Sequence, residues 1–155
     1  MTELYDRLHQ YSNSDYYGFH MPGHKRNAER FGSGLPYGID ITEIEEFDDL
    51  HHPDGILKKA QEEASRVYGA GETRFLVNGS TAGILSAILG CTRKGDQVLV
   101  GRNCHKSVYH AIYMNELEPV YLYPGFRPDI QLNTEISVSA VKAALNEHSR
   151  VKAVI

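Results

Sequence analysis

Cysteine is scarce in this chain of 155 residues: Cys91 and Cys104 are the only two. They have no CxxC spacing and no secretory context, which argues against a disulfide scaffold. Two free, buried thiols in a reducing compartment are expected instead. Long apolar runs are lacking too. The longest near-continuous stretch, around Ile84 to Leu89, falls far short of a membrane span. Charge of one sign is not in excess: the net charge is −4, with both signs interspersed. Lys25-Arg26 and Lys58-Lys59 are too short to act as basic arms, so neither nucleic acid nor an anionic membrane is expected as a partner. The N-terminus, Met1 to Arg7, lacks the basic-then-apolar layout of a signal peptide, which points to the cytoplasm. No Gly-Lys-Ser/Thr of a P-loop and no GxGxxG turn occurs.

What is present falls into two textures. Residues 1–52 combine a helix, marked by Leu4, Leu8 and Tyr11, with an irregular segment rich in Gly, Pro, His and Tyr. Pro22-Gly23 rules out a helix through His20 to Lys25. Seven acids follow closely: Asp40, Glu43, Glu45, Glu46, Asp48, Asp49 and Asp54. They suit a solvated or helix-capping surface, or a site for a cationic substrate.

Residues 53–155 are regular. Ile56, Leu57, Ala60, Ala64, Val67 and Tyr68 recur at helical spacing, and Gly69-Ala70-Gly71 stops that helix. Thr73 to Asn78 is expected as a buried strand. Thr81 to Leu89, apolar nearly all round, is expected as a central helix. Gln97 to Val100 is the next strand, Ser107 to Glu116 a helix, and Pro119 to Tyr123 a strand. Pro124 to Asn133 reads as a loop. Ser137 caps a helix carrying Val138, Val141, Leu145 and His148, and Val151 to Ile155 begins another strand. This alternation predicts an α/β fold with a mostly parallel sheet flanked by helices. A chain that stops inside a fresh strand is expected to be a fragment of a longer protein.

Two strand-to-helix junctions carry the chemistry. In a parallel sheet such turns gather at the carboxyl ends of the strands, where ligands bind. Asn78-Gly79-Ser80-Thr81 offers a close backbone approach, two hydroxyls and free helix N–H groups, a combination that suits a phosphate. It also suits a plain Ser/Thr cap. His105, in Arg102-Asn103-Cys104-His105-Lys106-Ser107, is a candidate cap, general base or stacking platform. Arg102 either helps neutralise a phosphate or pairs with a surface acid. A zinc site at His20 and His24 is not expected, because Pro22-Gly23 denies them one helical face. No metal is expected elsewhere.

Four motifs, in order, resemble one family. They are Phe19-His20-Met21-Pro22-Gly23-His24-Lys25; Asp40-Ile41-Thr42-Glu43 with Asp48-Asp49-Leu50 and Pro53-x-Gly55; Val77 to Gly83; and Arg102-Asn103-x-His105-Lys106-Ser107. Together they resemble the major domain of the ornithine/lysine/arginine decarboxylases, fold-type I enzymes dependent on pyridoxal 5'-phosphate (PLP). The resemblance implies that residues 53–155 are the first part of a PLP-binding major domain, incomplete at the C-terminus. Gly79, Ser80 and Thr81 match the turn that holds the PLP phosphate, and His105 matches the histidine that stacks on the pyridine ring. The family's Schiff-base lysine and the aspartate facing the pyridine nitrogen are expected past Ile155, so Lys106 is not that lysine. His20, His24 and Lys25 match the family's segment near the active-site mouth and dimer contact.

The implied activity is decarboxylation of arginine, lysine or ornithine to the amine, in a homodimer or higher oligomer. The fragment alone is expected to be inactive. The alternatives are another fold-type I enzyme, such as an aminotransferase or lyase, and a non-catalytic fragment.

Overall fold

Three parallel strands order the second half of the chain. The computed structural model describes residues 3–21 and 23–155, and the expectations for Met1, Thr2 and the turn at Pro22 lie outside them. The chain divides into two units, residues 1–75 and 76–155.

In the first unit, α1 (Glu3–Ser12) packs beside α3 (Ile56–Tyr68), and the segment between them holds a single helical turn, α2 (Ala28–Phe31), and a 3₁₀ turn, Tyr37–Ile39. Asn27 caps α2 by accepting from the Arg30 N–H. Helix α3 turns Ile56 and Gln61 inward and ends at Gly69, whose left-handed φ of +62° closes the helix without a Cβ penalty. Val67 and Tyr68, expected on the buried face, are 68% and 82% exposed. They sit in the last turn, which no described element of this unit covers.

In the second unit, β1 (Gln97–Gly101) lies between β2 (Glu118–Leu122) and β5 (Val151–Val154), parallel to both. Val98, Leu99 and Val100 are each at 0% exposure. A central parallel strand is covered on both faces, so its residues are apolar without alternation. Val98 and Val100 pack with Ile88 of α4 (Gly79–Cys91) and with Val108, Ala111 and Ile112 of α5 (Lys106–Met114). Helix α6 (Val138–Glu147) begins at Ser137, which accepts from the Ala140 N–H at 3.2 Å.

The fold is the α/β class expected, with four differences. Thr73 to Asn78 is not a strand: the segment has no paired strand beside it among the described residues, and Phe75, Leu76 and Val77 are exposed. Helix α4 is not central. Only Ile88 is buried, because α5 and the sheet cover one side of it and the other stays open. The Pro124 to Asn133 loop contains a small hairpin, β3 (Phe126–Arg127) with β4 (Leu132–Asn133). The two thiols are free but not buried: Cys91 is exposed at the end of α4, and Cys104 is half-buried against the core.

Candidate functional site

The end of α4 and the end of α5 are tied to each other. The Asn115 side-chain amide donates to the Thr92 carbonyl at 3.1 Å and to its Oγ1 at 3.0 Å. Thr92 and Asn115 are the C-terminal caps of these two packed helices. Helices joined at their C-termini run the same way, so their N-termini face the same end of the unit. At 1.5 Å per residue the two helices are about 20 Å and about 14 Å long. That end is also where β1 finishes, because α5 starts five residues after Gly101.

Gly79, Ser80 and Thr81 form the first turn of α4. Asn78 and Gly79 both have left-handed φ, +64° and +69°, and no side chain caps the helix. A Cβ added at Gly79 would meet nothing within 4 Å, so open space stands in front of this turn. The helix dipole and the unpaired N–H groups make such a terminus attractive to an anion.

His105 is the N-cap of α5. Its Nδ1 accepts from the Ser107 N–H at 3.3 Å and lies 2.9 Å from the Ser107 Oγ. The imidazole is therefore both a cap and a ring exposed at the same end as the α4 terminus. Lys106 is the first residue of α5 and is exposed. Among the described residues Arg102 forms no ion pair with a surface acid. Its guanidinium donates to the Tyr109 hydroxyl at 2.5 Å and lies over the Tyr109 and Tyr121 rings, at 5.2 and 5.6 Å.

His20, His24 and Lys25 belong to the first unit. His20 is buried. Its Nδ1 accepts from the Thr42 N–H at 3.3 Å, and its Nε2 lies 3.0 Å from the Tyr11 hydroxyl. Burial, then Arg26 and Lys25, push its pKa below the usual histidine value. The Lys25 ammonium donates to the His20 carbonyl. His24 accepts from the Arg26 N–H at Nδ1 and meets Asp40 through Nε2 at 3.0 Å. These three residues build one local network in which both histidines spend both ring nitrogens.

One residue had no individual role in the sequence argument. The Asp48 carboxylate accepts from the N–H groups of Asp49, Asp54, Gly55, Leu57 and Lys58, at 2.8 to 3.3 Å. It caps α3 from eight residues upstream. Partial desolvation pushes its pKa up, but the N–H groups of Asp54, Asp49, Gly55 and Lys58 outweigh that and hold it far below the usual carboxylate range. Within the acidic cluster, this residue does the helix capping. Among the described residues no group of three or more His, Cys, Asp or Glu could hold a metal ion, and no helix is long and apolar enough to cross a membrane.

The family model described as Orn/Lys/Arg decarboxylase, major domain, matches residues 2–155. An uncharacterized protein of Bacillus subtilis, YaaO, is 41% identical over 99% of this chain and 33% of its own length. An arginine decarboxylase of Bacillus cereus is 34% identical over 99% of this chain and 35% of its own. The constitutive lysine decarboxylase of E. coli superposes with a TM-score of 0.75 at 22% identity, over 100% of this chain and 25% of that one. Lysine decarboxylase A from Pseudomonas aeruginosa does so with a TM-score of 0.70 at 25% identity, over 95% and 22%. The chain thus spans about a third of the length of the two curated Bacillus relatives.

Proposed function

Because this chain belongs to the Orn/Lys/Arg decarboxylase family, we propose that it supplies the phosphate and ring contacts for pyridoxal phosphate in a decarboxylase acting on a basic amino acid. The observation that supports this most directly is the Asn115–Thr92 tie, which aims the N-termini of α4 and α5 at one end of the unit. A cofactor with a phosphate at one side and a flat ring at the other needs that pairing.

The residues present fit such a group. The uncapped first turn of α4 offers N–H groups, and Ser80 and Thr81 add hydroxyls. The open space in front of Gly79 lets a phosphate approach the backbone. His105 offers an exposed ring held by Ser107. The chemistry supplied by pyridoxal phosphate, when bound, is an electron sink for the pair left as the substrate's carboxyl group departs as carbon dioxide. The chain's own part is positional. Gly79, Ser80 and Thr81 anchor the phosphate and so locate the reactive carbon. His105 fixes the plane of the ring and excludes water from one of its faces. His20, His24 and Lys25 are proposed to shape the substrate mouth and the contact with a second subunit.

The test is made on a protein of full family length. Titration with PLP and product analysis with arginine, lysine and ornithine should give one amine, and arginine is assayed first because relatives matching 99% of the chain are named arginine decarboxylases. Ser80→Ala with Thr81→Ala should weaken PLP binding at least ten-fold. Unchanged PLP affinity in that double variant, or no amine from any of the three, sinks the proposal.

A further inference from the structure

A histidine that lies flat against a cofactor has to hold one ring orientation, and its last torsion is intrinsically broad and roughly two-fold. Something outside the ring must choose. Ser107 is the second residue of α5 and is at 0% exposure. Its N–H and its hydroxyl both reach His105 Nδ1, at 3.3 and 2.9 Å. A backbone N–H can only donate, so Nδ1 is the acceptor, and a neutral ring then carries its proton on Nε2. The Nδ1 lone pair lies in the ring plane. Two donors fixed to a buried residue therefore fix that plane.

Burial alone does not explain a serine here. A buried hydroxyl is costly unless it is hydrogen-bonded, and an alanine would fill nearly the same space. Among the described residues, the one side-chain partner of the Ser107 hydroxyl is His105.

We infer that Ser107 is a positioning residue: it holds the His105 imidazole in the Nε2–H tautomer and in a single plane, so that the ring face is presented to a flat aromatic cofactor and Nε2–H remains a free donor. This rests on the assignment of His105 as the stacking residue.

The experiment compares wild type, Ser107→Ala, His105→Ala and the double variant in the full-length protein. Its two readouts are the ¹⁵N imidazole shifts of His105, recorded on the neutral ring, and the PLP dissociation constant. Wild type should show a pyridine-type Nδ1 and a pyrrole-type Nε2. Ser107→Ala keeps the backbone N–H donor but loses the closer hydroxyl, so the Nδ1–H share of the neutral ring should rise above that of wild type and PLP should bind about five-fold more weakly, the scale of one net hydrogen bond. Ser107→Thr, which keeps the hydroxyl, should restore the single tautomer. On the His105→Ala background, the Ser107→Ala change should cost nothing further. An equal loss on both backgrounds would mean that the serine acts through packing, and the inference fails. A wild-type proton on Nδ1 also overturns it. If His105→Ala binds PLP as tightly as wild type, the stacking assignment itself falls, whatever the tautomer, and the positioning role falls with it.

Discussion

Asn115 reaches across to Thr92 with both of its amide hydrogens, 3.1 Å to the carbonyl and 3.0 Å to Oγ1. Thr92 is buried and also donates its hydroxyl to the Ile88 carbonyl at 2.7 Å. Asn115→Ala would strip the Thr92 carbonyl of this donor. The expected loss is about 1–3 kcal/mol of stability, measured by urea unfolding. Asn115→Asp removes the donors with little change in shape and should do at least as much harm.

Asp48 makes a prediction about acid. Its folded-state pKa is depressed by backbone N–H groups, after desolvation is overcome. A depressed carboxyl contributes stability above its unfolded value, and that contribution is lost as the pH falls through the window below the ordinary value of 3.8. Asp48→Asn should therefore lower the Tm by roughly 4–8 °C at neutral pH. The gap between variant and wild type should narrow below pH ~4. A gap that stays constant down to pH ~2 would contradict the capping role.

His20 shows the opposite charge type with the same sign. Burial and the nearby Arg26 and Lys25 favour its neutral form, with Asp40 opposing them and His24 adding to the effect. Because its folded pKa lies below the unfolded value of 6.5, stability is full above that value. It is lost as the pH falls from there toward the folded value. Protonation would also put an N–H on Nδ1, against the Thr42 N–H that it now accepts. Chemical denaturation across pH 5 to 8 should show a slope in wild type that is reduced in His20→Gln. Gly18→Ala should mimic the damage at all pH values, since its Cβ would lie 2.9 Å from the His20 ring. The expected cost is about 1–3 kcal/mol.

Gly79 separates backbone from ligand. Its φ is +69° with open space where a Cβ would stand. Gly79→Ala should cost about 1–2 kcal/mol of stability from conformation alone. If a phosphate approaches this backbone, PLP affinity should fall by more than that destabilisation explains. Isothermal titration beside a thermal melt distinguishes the two effects.

Much of the second unit was legible in the sequence, because its signals are local. Val98-Leu99-Val100 is a short apolar run between turns, and Ser137 stands directly before the periodic residues of α6. What was not legible depends on partners distant in sequence. Phe75-Leu76-Val77 has the composition of a strand, but a strand also requires a neighbour, and none among the described residues pairs with it. The β3 and β4 strands are two residues each, too short to show alternation. Asp48 caps a helix that begins eight positions later, beyond the reach of any local capping rule. At the candidate site the residue types of Gly79 to Thr81 and His105 were visible. That the two turns face one end was expected from the strand-and-helix alternation, whereas the Asn115–Thr92 contact that ties the helices was not, since it joins residues distant in sequence.

The wholly enclosed strand Val98-Leu99-Val100 has a dynamic consequence. Flanked on both edges by other strands, its amide protons should be among the last in the unit to exchange with heavy water. The turn bearing His105 springs directly from it. That ring is thus moored to the slowest-opening part of the unit, and would keep its place while the Phe126–Asn133 hairpin frays and re-forms many times over.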